Sequence, residues 1–176
     1  MKYTSLITVL TLASVLQGCH DSHYYHSQND PEIRSLVLYD SLGQDSRRHT
    51  SSELTIDPVL DDGYFELDWS IDTWGDYDID IFINDHPSPH GATRIISRSC
   101  HLGSNCQDEG GAWCRFSITT NADELSCYFK GSVREERKDI TRLFSAHPDR
   151  LYVGIRVCDD FDTDNCDWST IGAMFE

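Results

Sequence analysis

The side chains best equipped for chemistry in this chain are carboxylates. They are densest at residues 159–165, Asp-Asp-Phe-Asp-Thr-Asp-Asn, with Asp167 just beyond. Asp160, Asp162 and Asp164 alternate as the first half of an EF-hand calcium loop does. The second half of that pattern is missing. Asn165 stands where the turn needs Gly, and Ile171 where the bidentate Glu belongs. What remains is a candidate calcium loop of carboxylates and backbone carbonyls, set against the plainer reading of a solvated acidic tip.

A second acidic concentration lies between residues 63 and 84. Glu66, Asp68, Asp72, Asp78 and Asp80 fall there, and no Lys or Arg occurs between Pro58 and Arg94. Trp74 sits among them in a predicted turn. An exposed Trp beside acids can stack on a sugar ring or anchor a protein contact. Trp74, Asp68, Asp78 and Asp80 are therefore the candidate binding residues, and a solvated face is the alternative. For nucleophilic catalysis the chain offers no Gly-x-Ser-x-Gly elbow and no placed Ser-His-Asp set. Carboxylate pairs for glycoside hydrolysis carry no signal in so acidic a chain. No catalytic residue is nominated.

The elements that must position these groups read as strands. Phe65, Leu67, Trp69 and Ile71 alternate with polar residues, and so do Tyr77, Ile79, Ile81 and Ile83. Side chains on a strand point to opposite faces in turn, so each run has one apolar face. With Gly75 and Asp76 between them, the two runs are expected to form a central hairpin. Its acids would then face one another, a repulsion of a few tenths to about 1 kcal/mol per pair. Further strand patterns lie at residues 33–39, 54–56, 93–98, 113–118, 125–129, 151–157 and 168–175. Residues 134–144 are the only helix-like stretch, with Ile140, Leu143 and Phe144 at i, i+3, i+4. About ten short strands with at most one short helix predict an all-β, antiparallel β-sandwich, immunoglobulin-like or jelly-roll-like.

The chain has 176 residues, 14 basic and 30 acidic, for a formal charge of −16. Nucleic acid is excluded as an expected partner, because phosphate binding needs a basic surface. Of seven cysteines, six lie in the sandwich region: Cys100, Cys106, Cys114, Cys127, Cys158 and Cys166. An even set in an exported chain reads as disulfides. Six cysteines allow 15 connectivities. Sequence-local pairing favours 100–106, 114–127 and 158–166, with 106–114 as the competitor. No Cys-x2-Cys pair supports zinc instead.

The seventh, Cys19, has another role. Lys2 precedes an apolar run at residues 6–16 that is too short to span a bilayer stably. The run ends in Leu16-Gln17-Gly18-Cys19, which resembles the lipobox of bacterial lipoproteins. That resemblance implies a signal peptide over residues 1–18 and lipidation of Cys19, with diacylglycerol and an N-acyl chain such as palmitate. Three acyl chains exceed what stable membrane anchoring requires. Cleavage would remove Lys2 and no acid, leaving a formal charge of −17. His20, not Asp, follows Cys19, which by the same resemblance points to the outer membrane over the inner. Residues 19–32 are polar and read as a flexible tether, and residues 33–176 as the sandwich domain.

These features suggest a lipid-anchored protein of the bacterial cell envelope. The leading expectation is a non-enzymatic binding or structural module with a protein or glycan partner, with calcium as a candidate cofactor. The alternatives are an inhibitor or adaptor for a basic envelope protein, steered by the negative charge, and a hydrolase.

Overall fold

The computed structural model describes residues 30–46, 54–73, 75–101 and 109–176. Residues 1–18, expected as a signal peptide, and Cys19, Trp74 and Cys106 lie outside them. The described chain forms ten strands: β1 (Glu32–Asp40), β2 (Thr55–Ile56), β3 (Tyr64–Asp72), β4 (Tyr77–Asn84), β5 (Thr93–Cys100), β6 (Glu109–Ile118), β7 (Asp123–Phe129), β8 (Glu136–Asp139), β9 (Asp149–Asp159) and β10 (Cys166–Phe175). Two five-stranded sheets pack face to face. The first has the order β1-β3-β6-β7-β8 and the second β2-β10-β9-β4-β5. Every pairing is antiparallel except β2 with β10. The expected all-β sandwich is the architecture found. Among the described residues no helix is long and apolar enough to cross a membrane.

The inward faces follow the alternation of the sequence. Phe65, Leu67 and Ile71 of β3 meet Ile79, Ile81 and Ile83 of β4 in one buried core with residues of the other long strands. Burial of each such side chain is worth about 1.5–3 kcal/mol. Strand β9, one of the expected strands, lies between β10 and β4 in the second sheet. Its Leu151, Val153, Ile155 and Val157 are fully buried.

The central hairpin is a correction. β3 belongs to the first sheet and β4 to the second, so the connection between them is an arch from sheet to sheet and not a hairpin turn. Alternation reports which face is apolar but not which strand is the neighbour. An arch and a hairpin with inward apolar faces have the same sequence pattern. Gly75 supplies the unusual backbone the crossing needs, with φ of 110°. The acids of β3 and β4 therefore stand on opposite outer surfaces, and the repulsion expected between them does not arise.

Residues 134–144 are the second correction. Residues 136–139 form the edge strand β8, and residues 141–143 make a single 3-10 turn. The charged stretch pairs with β7 and lies largely exposed at the sheet edge. The apolar spacing was meaningful only at its end, where Ile140 is buried and Leu143 and Phe144 pack against the core.

Candidate functional site

Two disulfides sit at directly paired positions. Cys114 and Cys127 face each other across β6 and β7, and Cys158 and Cys166 across β9 and β10. Both were expected, and the first excludes a 106–114 bond. Cys100 is also disulfide-bonded, to a residue outside the described ones.

The outer-face acids find bases on neighbouring strands. Asp80 of β4 is 6% exposed and pairs with Arg156 of β9 and Arg94 of β5. Asp72 pairs with Arg34. On the first sheet Lys130 reaches both Glu66 and Asp68, the latter at 2.7 Å. Burial lowers the Lys130 pKa from its ordinary value, although its two carboxylate partners hold the charged form in place. Asp78 differs: one of its carboxylate oxygens is buried without a hydrogen-bond partner among the described residues.

The acidic loop divides. The Asp159 carboxylate accepts the backbone N–H groups of Phe161 and Asp162, and Asp162 accepts that of Asp164. These are turn-forming bonds that occupy part of the candidate calcium ligands. Asp160 points elsewhere. Tyr77 pairs with both Cys100 and Asp159, so the next position outward joins Asp76, His101 and Asp160 across three strand ends. Their ligand atoms lie within 4.8 Å of one another. One imidazole with two carboxylates suits a borderline metal such as zinc better than calcium, which takes six to eight oxygens. Asp162 and Asp164 are outside this trio.

A cleft of about 510 Å³ opens at one end of the sandwich. It is lined from both faces of the first sheet. Asp68 and Ser70 stand on the outer face, while Trp69 and Phe129 reach it from the inner side. The second sheet contributes Tyr77 and Arg98. The opening is made at the start of β6 by Gly110 and Gly111. A Cβ at Gly110 would fall 2.6 Å from the Trp69 indole nitrogen, and one at Gly111 2.4 Å from an Asp68 carboxylate oxygen. The glycines leave room for the indole and the ion pair beside them.

Phe129 is the platform inside. Trp69 meets it edge-on, with ring centroids 6.1 Å apart, and the Arg98 guanidinium lies over its ring at 4.4 Å. Arg98 is half-buried, opposite Ile79 on the inner face of β5. Burial lowers its pKa from the ordinary value, partly offset by Tyr77 nearby. Among the described residues it has no carboxylate partner and no hydrogen-bond acceptor, and the Trp69 indole N–H has no acceptor either.

The chain matches no family model, no curated protein and no solved structure. The site rests on its geometry alone.

Of the expected binding residues, Asp68 lines the cleft, and Asp78 and Asp80 lie on the opposite sheet. Trp74 is outside the described residues. The sequence reading missed Trp69, Phe129 and Arg98. One signal was present: Ile96, Arg98 and Cys100 share a parity on β5, so an arginine stands between two buried positions.

Proposed function

We propose that this protein is a lipid-anchored lipoprotein of the bacterial envelope whose β-sandwich binds a glycan non-enzymatically in the cleft between its sheets. The cleft carries this reading. Its volume is within the usual range of small-ligand sites, and aromatic walls with a few polar groups are the usual lining. Trp69, Tyr77 and Phe129 offer apolar faces to a sugar ring, and the polar rim offers partners to its hydroxyls. The lipobox-like Leu16-Gln17-Gly18-Cys19 supports the anchor. The electrostatic alternative, docking of a basic protein on the acidic faces, loses ground because Lys130, Arg94 and Arg156 already neutralise much of them.

The test uses the full chain in detergent, titrated with a panel of mono- and oligosaccharides against a Gly110→Val variant. Saturable binding to the wild type, lost when the valine closes the cleft, supports the reading. Equal binding by the variant would move the site elsewhere. Incorporation of labelled palmitate, abolished in Cys19→Ser, tests the anchor separately.

A further inference from the structure

We infer that the cleft selects a sugar bearing a carboxylate, and that Arg98 is the residue that holds that carboxylate. The inference rests on the reading of the cleft as a glycan site and adds the charge of the ligand.

The starting point is a mismatch. The chain is rich in acidic residues, yet none of those among the described residues pairs with Arg98. Every ion pair of the outer faces described above shows that acids and bases here find each other where the fold allows it. Arg98 is instead held face-down on Phe129, 4.4 Å from the ring centroid. A stacked guanidinium uses its plane for the aromatic contact and keeps its N–H edge for a ligand. That edge is a rigid fork matched to a carboxylate, and the stacking has already fixed its orientation. The Trp69 indole N–H, packed on the same Phe129, is a second donor with no acceptor among the described residues.

The charge of the ligand follows from the rest of the cleft. Lys130 is occupied by Glu66 and Asp68, which leaves Arg98 as the one uncommitted cation of the cleft among the described residues. Glu109 also lines the cleft and has no basic partner among the described residues. In a chain of net charge −16, a dianionic phosphate would meet repulsion from Glu109 and from the whole molecule. A single carboxylate answers a single guanidinium. Glu109 can then accept from a sugar hydroxyl, a neutral donor that brings no further charge.

The experiment compares methyl β-D-glucuronide with methyl β-D-glucoside, sugars that differ in having a carboxylate or a hydroxymethyl group. Affinities are measured by calorimetry or ligand-observed NMR on the full chain in detergent, for wild type, Arg98→Gln and Arg98→Lys. A charge-assisted, two-pronged contact predicts a preference of about tenfold or more for the glucuronide. Arg98→Gln should abolish the preference and leave glucoside binding in place. Arg98→Lys should retain part of it, because the charge remains and the fork does not.

Equal affinity of the wild type for both sugars would overturn the role of the carboxylate and leave the glycan reading standing. Binding of neither would bring down the glycan reading and this inference with it. A preference that survives Arg98→Gln would overturn the assignment to Arg98. Thermal melting separates binding from propping. A residue held for a ligand leaves the melting temperature unchanged or raised when its uncompensated burial is relieved. A fall of several degrees in Arg98→Gln, with both sugars weakened alike, would make Arg98 a structural support and overturn the inference.

Discussion

Asp80 and Arg98 lie on adjacent strands of the same sheet, and their surroundings are opposite. Asp80 is on the outer face of β4, almost fully buried, with Arg94 and Arg156 brought to it from the strands on either side. Arg98 is on the inner face of β5, half-buried, with an aromatic ring beneath it and no acid beside it among the described residues. The acid is part of how the sheet holds together. The base is a group the fold positions without satisfying. In a chain so rich in carboxylates, an unmatched charge says more about ligand binding than a cluster of matched ones.

Removing Asp80 is the strongest way to break this comparison. Asp80→Ala leaves two arginines facing an empty position, of which Arg156 is the more enclosed. Breaking a fully buried pair costs 3–5 kcal/mol. Arg156 keeps partial access to water, so about 2–3 kcal/mol is expected, or several degrees in melting temperature. Arg98→Gln, measured alongside, should cost nothing. If the two variants melt alike, the distinction between the sites is wrong.

The Cys158–Cys166 bond comes next. It closes a separation of 8 residues, and the chain-entropy argument gives about 2–3 kcal/mol for such a loop. The double variant Cys158→Ser/Cys166→Ser should lose up to that amount in denaturant unfolding. It should also scatter the Asp76, His101 and Asp160 trio, because Asp160 follows the bridged strand.

A matched acid on the surface should matter far less. Asp149 accepts hydrogen bonds from the backbone and hydroxyl of Ser145, which hold its pKa below the ordinary 3.8. A folded value below the unfolded one stabilises at neutral pH, and the gain is lost as pH falls through the folded value. Asp149→Asn should therefore be slightly less stable than wild type at pH 7, by a few tenths of a kcal/mol given its exposure. The difference should shrink as the pH falls below 3.8 and vanish below the lower folded value. A difference that persists there would show that the amide disrupts more than a charge.

The smallest expected effect is that of calcium. Asp159 and Asp162 already use carboxylate oxygens on their own loop, so millimolar calcium should leave the melting temperature where EDTA does. A rise of several degrees, absent in Asp160→Ala, would instead assign a cation site by mass action. Zinc in the same assay sharpens the point, because the trio offers an imidazole.

Much of the fold was legible because strand alternation is a physical signature of burial. Phe65, Leu67 and Ile71 could only be an inward face, and cysteines bracketing a hairpin pattern could only be close in space. Partners were less legible. Nothing in residues 63–84 distinguishes an arch from a hairpin, because the choice depends on β9 and β6 competing for the two strands, and both lie far along the chain. The cleft was least legible. It combines Trp69, Phe129 and Arg98 from three strands with the absence of side chains at Gly110 and Gly111, and a missing side chain has no pattern of its own.

The arch between β3 and β4 also sets the order in which the chain can fold. A hairpin there would have let residues 64–84 close as soon as they were made. Instead β3 has β1 and β6 as neighbours and β4 has β5 and β9, so each has at least one side that is filled only by a strand made later. Asp80 meets Arg156 across 76 residues of chain, and among the described residues the strand paired with β2 is β10, more than a hundred residues on, where Thr55 lies beside Met174. The second sheet has no middle until β9 has been synthesised, so contacts of long sequence separation must form late and slowly. A nascent chain that stops short of Asp149 cannot complete its sandwich. The sandwich stays open until β9 and β10 have been made.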